Sequence, residues 1–535
     1  MDILLSLDRR ARQPLRDQLY DALRAAILAG EVPPGAKLPS TRAIAAQVGV
    51  ARFTAEDSYA RLVADGYAVG RHGAGTFVAP LAAPPSAAPD DASPPSGPDA
   101  GSGRSTPTAS ATTPRPGPHR PWSAWGRRVA DGAAPPVATE SPPFAFRHGT
   151  PALDAFPHAL WRRLQTRAAR EAPPAELAYG PAHGLPALRE AIAAYLARAR
   201  GLRCGPDQIV VTAGTQQAID LLARLWLDPG DAVAVENPGY PSVRRVLAAA
   251  GAALRPVPVD GDGLRVDLLD DLAPGAKLVH VTPSHQYPTG AVLPLARRLT
   301  LLAWARRRGA LVVEDDYDGE FRYGGHAVPA LAGLDAAAVP GAAPGPNAGP
   351  LSAGDLGRTD AAPSAVGSVV YVGSFSKVLY PGLRLGYAVL PPDLVAPFAA
   401  AKALTDRQAP AHAQRVLAAF IAEGHFERHL ARMRRLYAAR RAALLAGLDA
   451  HLAGVAARDP AATAAGLHIL VRFDVPYDER ALVARATRAG VGLDAAGACF
   501  AAPPAAPAVL LGYAPLPEDR IDEGLRRLAG ALRHP

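Results

Sequence analysis

Val369-Val370-Tyr371-Val372-Gly373-Ser374-Phe375-Ser376-Lys377-Val378-Leu379-Tyr380-Pro381-Gly382-Leu383-Arg384-Leu385-Gly386-Tyr387 is the stretch from which the rest of the chain can be read. Its run of β-branched and aromatic residues predicts a buried strand. The strand ends in a hydroxyl-rich turn where Lys377 follows Ser374 and Ser376, and Arg384 comes shortly after. A lysine beside an apolar strand end is costly to bury as an ammonium, and a covalent imine relieves that cost. Serine hydroxyls and a planar guanidinium suit a phosphate. Lysine and phosphate site together point to pyridoxal 5'-phosphate, which requires a Schiff-base lysine and a carboxylate at its pyridine nitrogen. Taken alone, the stretch also fits a solvated lysine on an ordinary loop.

Outward from it, strands and helices alternate from about Phe144 to Leu532, which predicts an α/β domain with a mostly parallel sheet. Ile209-Val210-Val211-Thr212 leads into Ala213-Gly214-Thr215-Gln216-Gln217 and a helix through Trp226. A small residue, a hydroxyl and free N–H groups at a helix start favour an anion, although a plain strand-to-helix turn has the same composition. Further strands deliver Glu236-Asn237-Pro238-Gly239-Tyr240, Pro283-Ser284-His285-Gln286-Tyr287-Pro288-Thr289-Gly290 and Glu314-Asp315-Asp316-Tyr317-Asp318. Carried at C-terminal strand ends, these groups fall on one rim of the sheet, where ligands bind in open α/β folds. An Ala/Gly/Pro-rich insertion over 333–367 interrupts the domain as a tolerated surface loop.

The first unit, over 12–79, has a different pattern. Leu15, Leu19, Leu23 and Ile27 form one apolar helical stripe, ended by Gly30 and Pro33-Pro34-Gly35. Ser40 caps a short second helix, Gly49 turns the chain, and a third helix runs from about Arg52 to Asp65 with Tyr59 and Leu62 inward. A hairpin follows, with Arg71-His72-Gly73-Ala74-Gly75 at its glycine-rich basic tip. This order of elements predicts a winged helix-turn-helix. Between the units, 80–143 reads as a flexible Pro/Ala/Ser-rich linker, since such a composition cannot bury enough apolar surface to offset its ordering entropy.

At 535 residues, with 49% hydrophobic content, the chain is long enough for two or three domains. It has no apolar run long enough to span a membrane and no signal-like N-terminus, so a cytoplasmic protein without membrane attachment is expected. Cys204 and Cys499 are too few for a disulfide framework and match no metal-site spacing, so no metal is expected. A net charge of +8 permits nucleic-acid binding.

Leu38-Pro39-Ser40-Thr41-Arg42, Val48-Gly49-Val50-Ala51-Arg52-Phe53-Thr54 and Gly73-Ala74-Gly75-Thr76-Phe77-Val78 resemble the DNA-binding domain of GntR-family regulators. The resemblance implies DNA contacts from Arg42, Arg52, Thr54 and Gly75; Ala51 and Ala55 depart from the usual pattern. The larger domain resembles fold-type I aminotransferases, and its fusion to a GntR head resembles the MocR/GabR-type regulators. On that resemblance Lys377 forms the Schiff base, Asp315 pairs with the pyridinium nitrogen, and Tyr317 donates to the phenolic oxygen. Tyr240 stacks on the ring, while Gly214, Thr215, Gln216, Ser374 and Arg384 hold the phosphate. Tyr179 reaches the phosphate of a neighbouring subunit, implying a homodimer.

Two departures bear on activity. Tyr287 stands where transaminases usually carry asparagine, which leaves the phenolic oxygen to Tyr317. The family's carboxylate-binding arginine has no counterpart between Val491 and Pro515, with Arg472 as the substitute to test. The leading expectation is a transcription factor that binds a double-stranded operator and senses pyridoxal phosphate itself or a small amino compound. The alternatives are an active aminotransferase with a regulatory head, and a DNA-binding protein whose lower domain only dimerises.

Overall fold

The computed structural model describes residues 7–9, 11, 13–71, 73–80, 122–132, 142–323, 329–337, 367–458 and 465–533. The chain divides into two compact units, Met1–Arg115 and Pro116–Pro535.

In the first unit α1 (Leu15–Leu28), α2 (Thr41–Val48) and α3 (Arg52–Ala64) precede a hairpin of β1 (Ala68–Arg71) and β2 (Gly75–Val78). Leu19, Leu23 and Ile27 on α1 meet Ile44 on α2 and Tyr59 and Leu62 on α3 in one apolar cluster, the stripe read from the sequence. Ser40 Oγ accepts from Ala43 N and caps α2, while Gly49 ends it in the left-handed region at φ 68°. The hairpin is antiparallel, with Arg71 opposite Gly75. It is a winged helix-turn-helix.

The second unit holds the remaining strands: β3 (Phe144–Ala145), β4 (Ile209–Thr212), β5 (Ala232–Asn237), β6 (Ala253–Asp260), β7 (Gly263–Leu264), β8 (Leu278–Val281), β9 (Leu311–Asp316), β10 (Val369–Ser374), β11 (Gly386–Val389), β12 (Ala456–Ala457), β13 (His468–Phe473), β14 (Val491–Gly492), β15 (Asp494–Ala495) and β16 (Ala508–Gly512). An eight-stranded sheet runs β4-β11-β10-β9-β8-β5-β6-β7. Pairing from β10 through β9, β8, β5 and β6 is parallel, whereas β11 lies antiparallel to both β10 and β4. The C-terminal ends of β4, β5, β8, β9 and β10 therefore share one rim. Buried Val, Ile and Leu fill both faces of these strands, as a sheet covered by helices on each side demands. A smaller antiparallel sheet, β12-β13-β16-β15, packs alongside. This is the fold-type I aminotransferase architecture, mixed but mostly parallel.

Two sequence boundaries need correction. Inside the expected linker 80–143, residues Ala124–Asp131 form a helix, α4, capped by Ser123. Arg128 Nε donates to the carbonyl of Ala249 at 2.9 Å, so α4 is tied to the second unit rather than left in a coil. The insertion expected over 333–367 begins late, because Leu331–Ala337 is helical and the Asp335 carboxylate accepts from Ser368 N at 2.6 Å. Of these two stretches, residues 81–121, 133–141 and 338–366 lie outside the described residues. Among the described residues no helix is long and apolar enough to cross a membrane.

Candidate functional site

The turn after β4 carries the residues expected to bind an anion. Gly214 sits at φ 112° and ψ 176°, a backbone region open in practice only to glycine, and opens the helix Thr215–Trp226. The turn is braced from behind: Ala213 N donates to Gln217 Oε1 at 2.7 Å, and Gln217 Nε2 donates to Asp406 at 2.8 Å. Asp406 is held by the buried ammonium of Lys402 at 2.7 Å. The Arg384 guanidinium lies over the helix start, where a Cβ added at Gly214 would be in ordinary contact with it at 3.6 Å, so the positive φ is what calls for glycine here.

A cavity of about 180 Å³ opens at this rim. Gly214, Thr215, Gln216, Ser374, Ser376 and Arg384 line it together with Tyr240, Asp315, Tyr317 and Lys377. Nine expected cofactor residues, distributed over the chain from Gly214 to Arg384, thus meet in one hollow. The tenth, Tyr179, does not line the cavity of its own chain. It is 80% exposed, with the Arg407 guanidinium 4.6 Å from its ring centre.

Lys377 Nζ donates to the carbonyl of Gly149 at 2.9 Å. Burial pushes its pKa below the ordinary lysine value, against the opposing pull of Asp318 and Asp315. A neutral amine is the nucleophilic form, so this depression suits attack on an aldehyde.

The four carboxylates at the end of β9 and just beyond it have separate partners. Glu314 accepts from the N–H groups of Leu331 and Ala332, both at 2.9 Å. Asp316 takes Arg200 and the Tyr371 hydroxyl, the latter at 2.7 Å. Asp318 holds His285 at 3.1 Å. Asp315, 2% exposed, lines the cavity with an Oδ1 that has no hydrogen-bond partner, and its Oδ2 is 3.4 Å from His280 Nε2. An orphaned carboxylate oxygen is costly in a buried site and suits a ligand that supplies a proton. The donor set, the glycine cradle and this orphaned oxygen all fit pyridoxal phosphate.

Sequence reading passed over several lining residues. His148 comes from the far upstream strand end after β3; its Nδ1 meets Asp494 Oδ2 at 2.6 Å, and its Nε2 meets the Tyr287 hydroxyl at 3.0 Å. His285 and Asp318 stood within quoted turns without a role. His468 lines the cavity at the head of β13, held neutral by burial. Arg472, the substitute carboxylate ligand, is corrected: it is exposed and pairs with Ala508 and Ala457. It shares a face with His468 but lies four residues on, roughly 13 Å down the strand. Arg384 is the one guanidinium among the described lining residues, and Leu510 on β16 packs against Tyr287 in an apolar cluster.

In the head, Arg42 and Gly75 are exposed and Thr54 half-buried. Arg52 is exposed and its Nε contacts Glu56 at 2.7 Å. Lys37 reaches toward Gly75 closely enough that a Cβ there would sit 3.0 Å from its Cε. Phe53, 77% exposed beside Arg52, adds an apolar group that sequence reading did not single out.

A winged helix-turn-helix joined in one chain to an aminotransferase-type domain defines a two-part transcriptional regulator. Residues 15–78 match the family of bacterial regulatory proteins, gntR family, and residues 149–467 match aminotransferase class I and II. The chain is 37% identical over 529 residues to the probable rhizopine catabolism regulatory protein MocR of Rhizobium meliloti, covering 99% of this chain and 96% of that one. It is 30% identical over 443 residues to the pyridoxine biosynthesis regulator PdxR of Corynebacterium glutamicum, covering 82% and 80%. The solved α-aminoadipate aminotransferase LysN of Thermus thermophilus, complexed with N-(5'-phosphopyridoxyl)-L-leucine, superposes with a TM-score of 0.62 at 29% identity, over 77% of this chain and 95% of that one. The chain belongs to the MocR-type subfamily of GntR transcriptional regulators.

The cradle yields a direct prediction. Gly214→Val places a β-branched residue at φ 112° against Arg384 and should weaken pyridoxal phosphate binding by about tenfold or more. Spectroscopic titration of the apoprotein checks this; an unchanged Kd would remove Gly214 from the phosphate site.

Proposed function

We propose that this regulator binds pyridoxal phosphate in the rim cavity and that occupancy of the cavity, by the cofactor or by an amine meeting it, controls how the heads engage operator DNA. The observation that carries the reading is Asp315: a buried carboxylate with an orphaned oxygen, in a cavity that also holds a lysine of depressed pKa and a glycine-arginine anion cradle. Pyridoxal phosphate, when bound, supplies an aldehyde for amines and an electron-withdrawing ring. Asp315 would keep the pyridine nitrogen protonated, and Lys377 Nζ would present the amine. The N–H groups of the Gly214–Gln216 turn, Ser374 and Arg384 would hold the phosphate, with Tyr240 against the ring.

The protein works as a cytoplasmic homodimer on this reading. Tyr179, exposed and free of its own cavity, is supported as the group that reaches the partner's phosphate. Arg42, Arg52, Thr54 and Gly75 contact DNA, and paired heads match the two-fold repeat of an operator.

The cavity favours this reading over efficient transamination. Rapid proton removal at Cα needs the substrate fixed, and a misplaced clamp costs about a hundredfold. Arg384 is the one guanidinium among the described lining residues and on this reading is taken up by the phosphate, while Tyr287 lines the cavity and packs with Leu510 in an apolar cluster. Purified protein supplied with cofactor, an amino acid and a keto acid should therefore turn over slowly or not at all while binding its operator. Several turnovers per second, with no effect of the cofactor on DNA binding, would favour the enzyme instead.

A further inference from the structure

Beside Lys377, three buried side chains form a chain of contacts that cofactor binding does not by itself require. His285 Nδ1 lies 3.1 and 3.2 Å from the two Asp318 oxygens and 2.8 Å from the Tyr317 hydroxyl. His285 is fully buried, Asp318 is 1% exposed, and Gly466 is packed so tightly on the imidazole that any Cβ there would overlap it. An ionised carboxylate accepts and cannot donate, so the proton between Asp318 and His285 sits on Nδ1. Tyr317 then cannot donate to Nδ1, and its own O–H is left to point into the cavity.

We propose that Asp318 and His285 are positioning residues that fix the imidazole tautomer so that Tyr317 donates to the cofactor's phenolic oxygen. This rests on the proposed pyridoxal phosphate site and goes beyond it. It gives a role to a buried Asp–His pair that the phosphate cradle, the nitrogen partner and Lys377 leave unused. It also explains how the site manages with Tyr287 at a position whose hydroxyl is turned to His148.

The other charged and titratable groups facing this chain are identifiable. Asp315, Tyr287 and Glu236 face Tyr317; Asp316 and Lys377 face Asp318; His468 stacks edge-on to His285 at 5.1 Å between ring centres; Arg384 faces Lys377. Burial keeps the Tyr317 hydroxyl protonated far above its ordinary range, so it remains a donor throughout the accessible pH range.

The test is the pH titration of the visible chromophore that Lys377 forms with pyridoxal phosphate. A donor on the phenolic oxygen stabilises its charge and competes with the imine proton, which lowers the imine pKa. Asp318→Ala removes the acceptor of the Nδ1 proton, so the imidazole can carry its proton on Nε2 and accept from Tyr317 at Nδ1, which should raise that pKa by about one unit. Tyr317→Phe should raise it similarly, and the double variant should rise no further than either alone. A purely electrostatic role predicts the opposite sign, because removing the Asp318 charge near Lys377 would lower the pKa. A fall, no change, or full additivity would overturn the relay.

The ligand-type atoms of His285, Asp318 and His468 lie within 4.8 Å of one another, so a shift abolished by a chelator would reassign the cluster to a metal ion and also overturn it. If no chromophore trappable at Lys377 forms, the cofactor reading itself fails, which is a separate result. Should Asp318→Ala not fold, nitrogen-labelled histidine spectra of the wild-type holoprotein carry the test. A protonated His285 Nδ1 is expected, and a protonated Nε2 with bare Nδ1 would overturn the proposal.

Discussion

Lys377→Ala should leave the protein folded and abolish covalently held pyridoxal phosphate, the largest single effect expected of any substitution in the chain. The structural cost is small, since the ammonium makes one hydrogen bond, to the Gly149 carbonyl at 2.9 Å. Losing such a bond costs about 1 kcal/mol. Burial already disfavours the charged form, so removing it also relieves a desolvation penalty. The phosphate cradle and Asp315 are untouched, so noncovalent binding should survive with weaker affinity. Borohydride reduction followed by mass analysis reads the outcome: an adduct in wild type and none in the variant. An adduct of equal yield in Lys377→Ala would place the reactive amine elsewhere.

Operator affinity should fall by about 1–3 kcal/mol on Arg52→Ala, and by a similar amount on Arg42→Ala, if each contacts a base edge. Structure offers Arg52 a competing role, the ion pair with Glu56 one turn along α3 at 2.7 Å. That pair is exposed on both sides, and exposed pairs of this spacing contribute about 0.3–0.5 kcal/mol to a helix. The two roles separate experimentally. An ion pair alone predicts a slightly lower Tm and unchanged DNA binding, whereas a DNA contact predicts an unchanged Tm and a roughly tenfold or greater loss of affinity at matched salt. Full affinity in both variants would remove the helix-turn-helix from operator recognition.

Much of the fold was legible because its signals are local. The four-residue spacing from Leu15 to Ile27, the Ser40 cap and the Gly49 turn need only neighbouring residues to be read, and each is found where expected. The strand ends at Gly214, Tyr240, Asp315 and Lys377 were legible for a further reason: parallel strands joined by helices must point one way, so their C-terminal groups converge. What escaped depends on distant pairing. His148 joins the cavity through Asp494 and Tyr287, partners that no local pattern connects. Arg472 has a plausible residue type on the expected strand, but register carries it past the cavity to an exposed end. The helix Ala124–Asp131 was hidden by the composition around it, although Ser123, Trp125 and Val129 give it a cap and an apolar side. The choice among Glu314, Asp315, Asp316 and Asp318 rested on resemblance in the sequence; in the fold, Glu314 and Asp316 do not line the cavity, and of the two that do, Asp318 is held by His285.

On the proposed reading, occupancy of the rim cavity is communicated to DNA. Binding of the full-length protein to DNA from its own upstream region, followed by fluorescence anisotropy across a pyridoxal phosphate titration, tests it most directly. The cofactor should change operator affinity or stoichiometry in wild type, and Lys377→Ala should blunt or abolish the response while its cofactor-free binding matches wild type. Identical binding curves for the wild-type protein with and without pyridoxal phosphate, in a sample whose Lys377 adduct is confirmed, would contradict it.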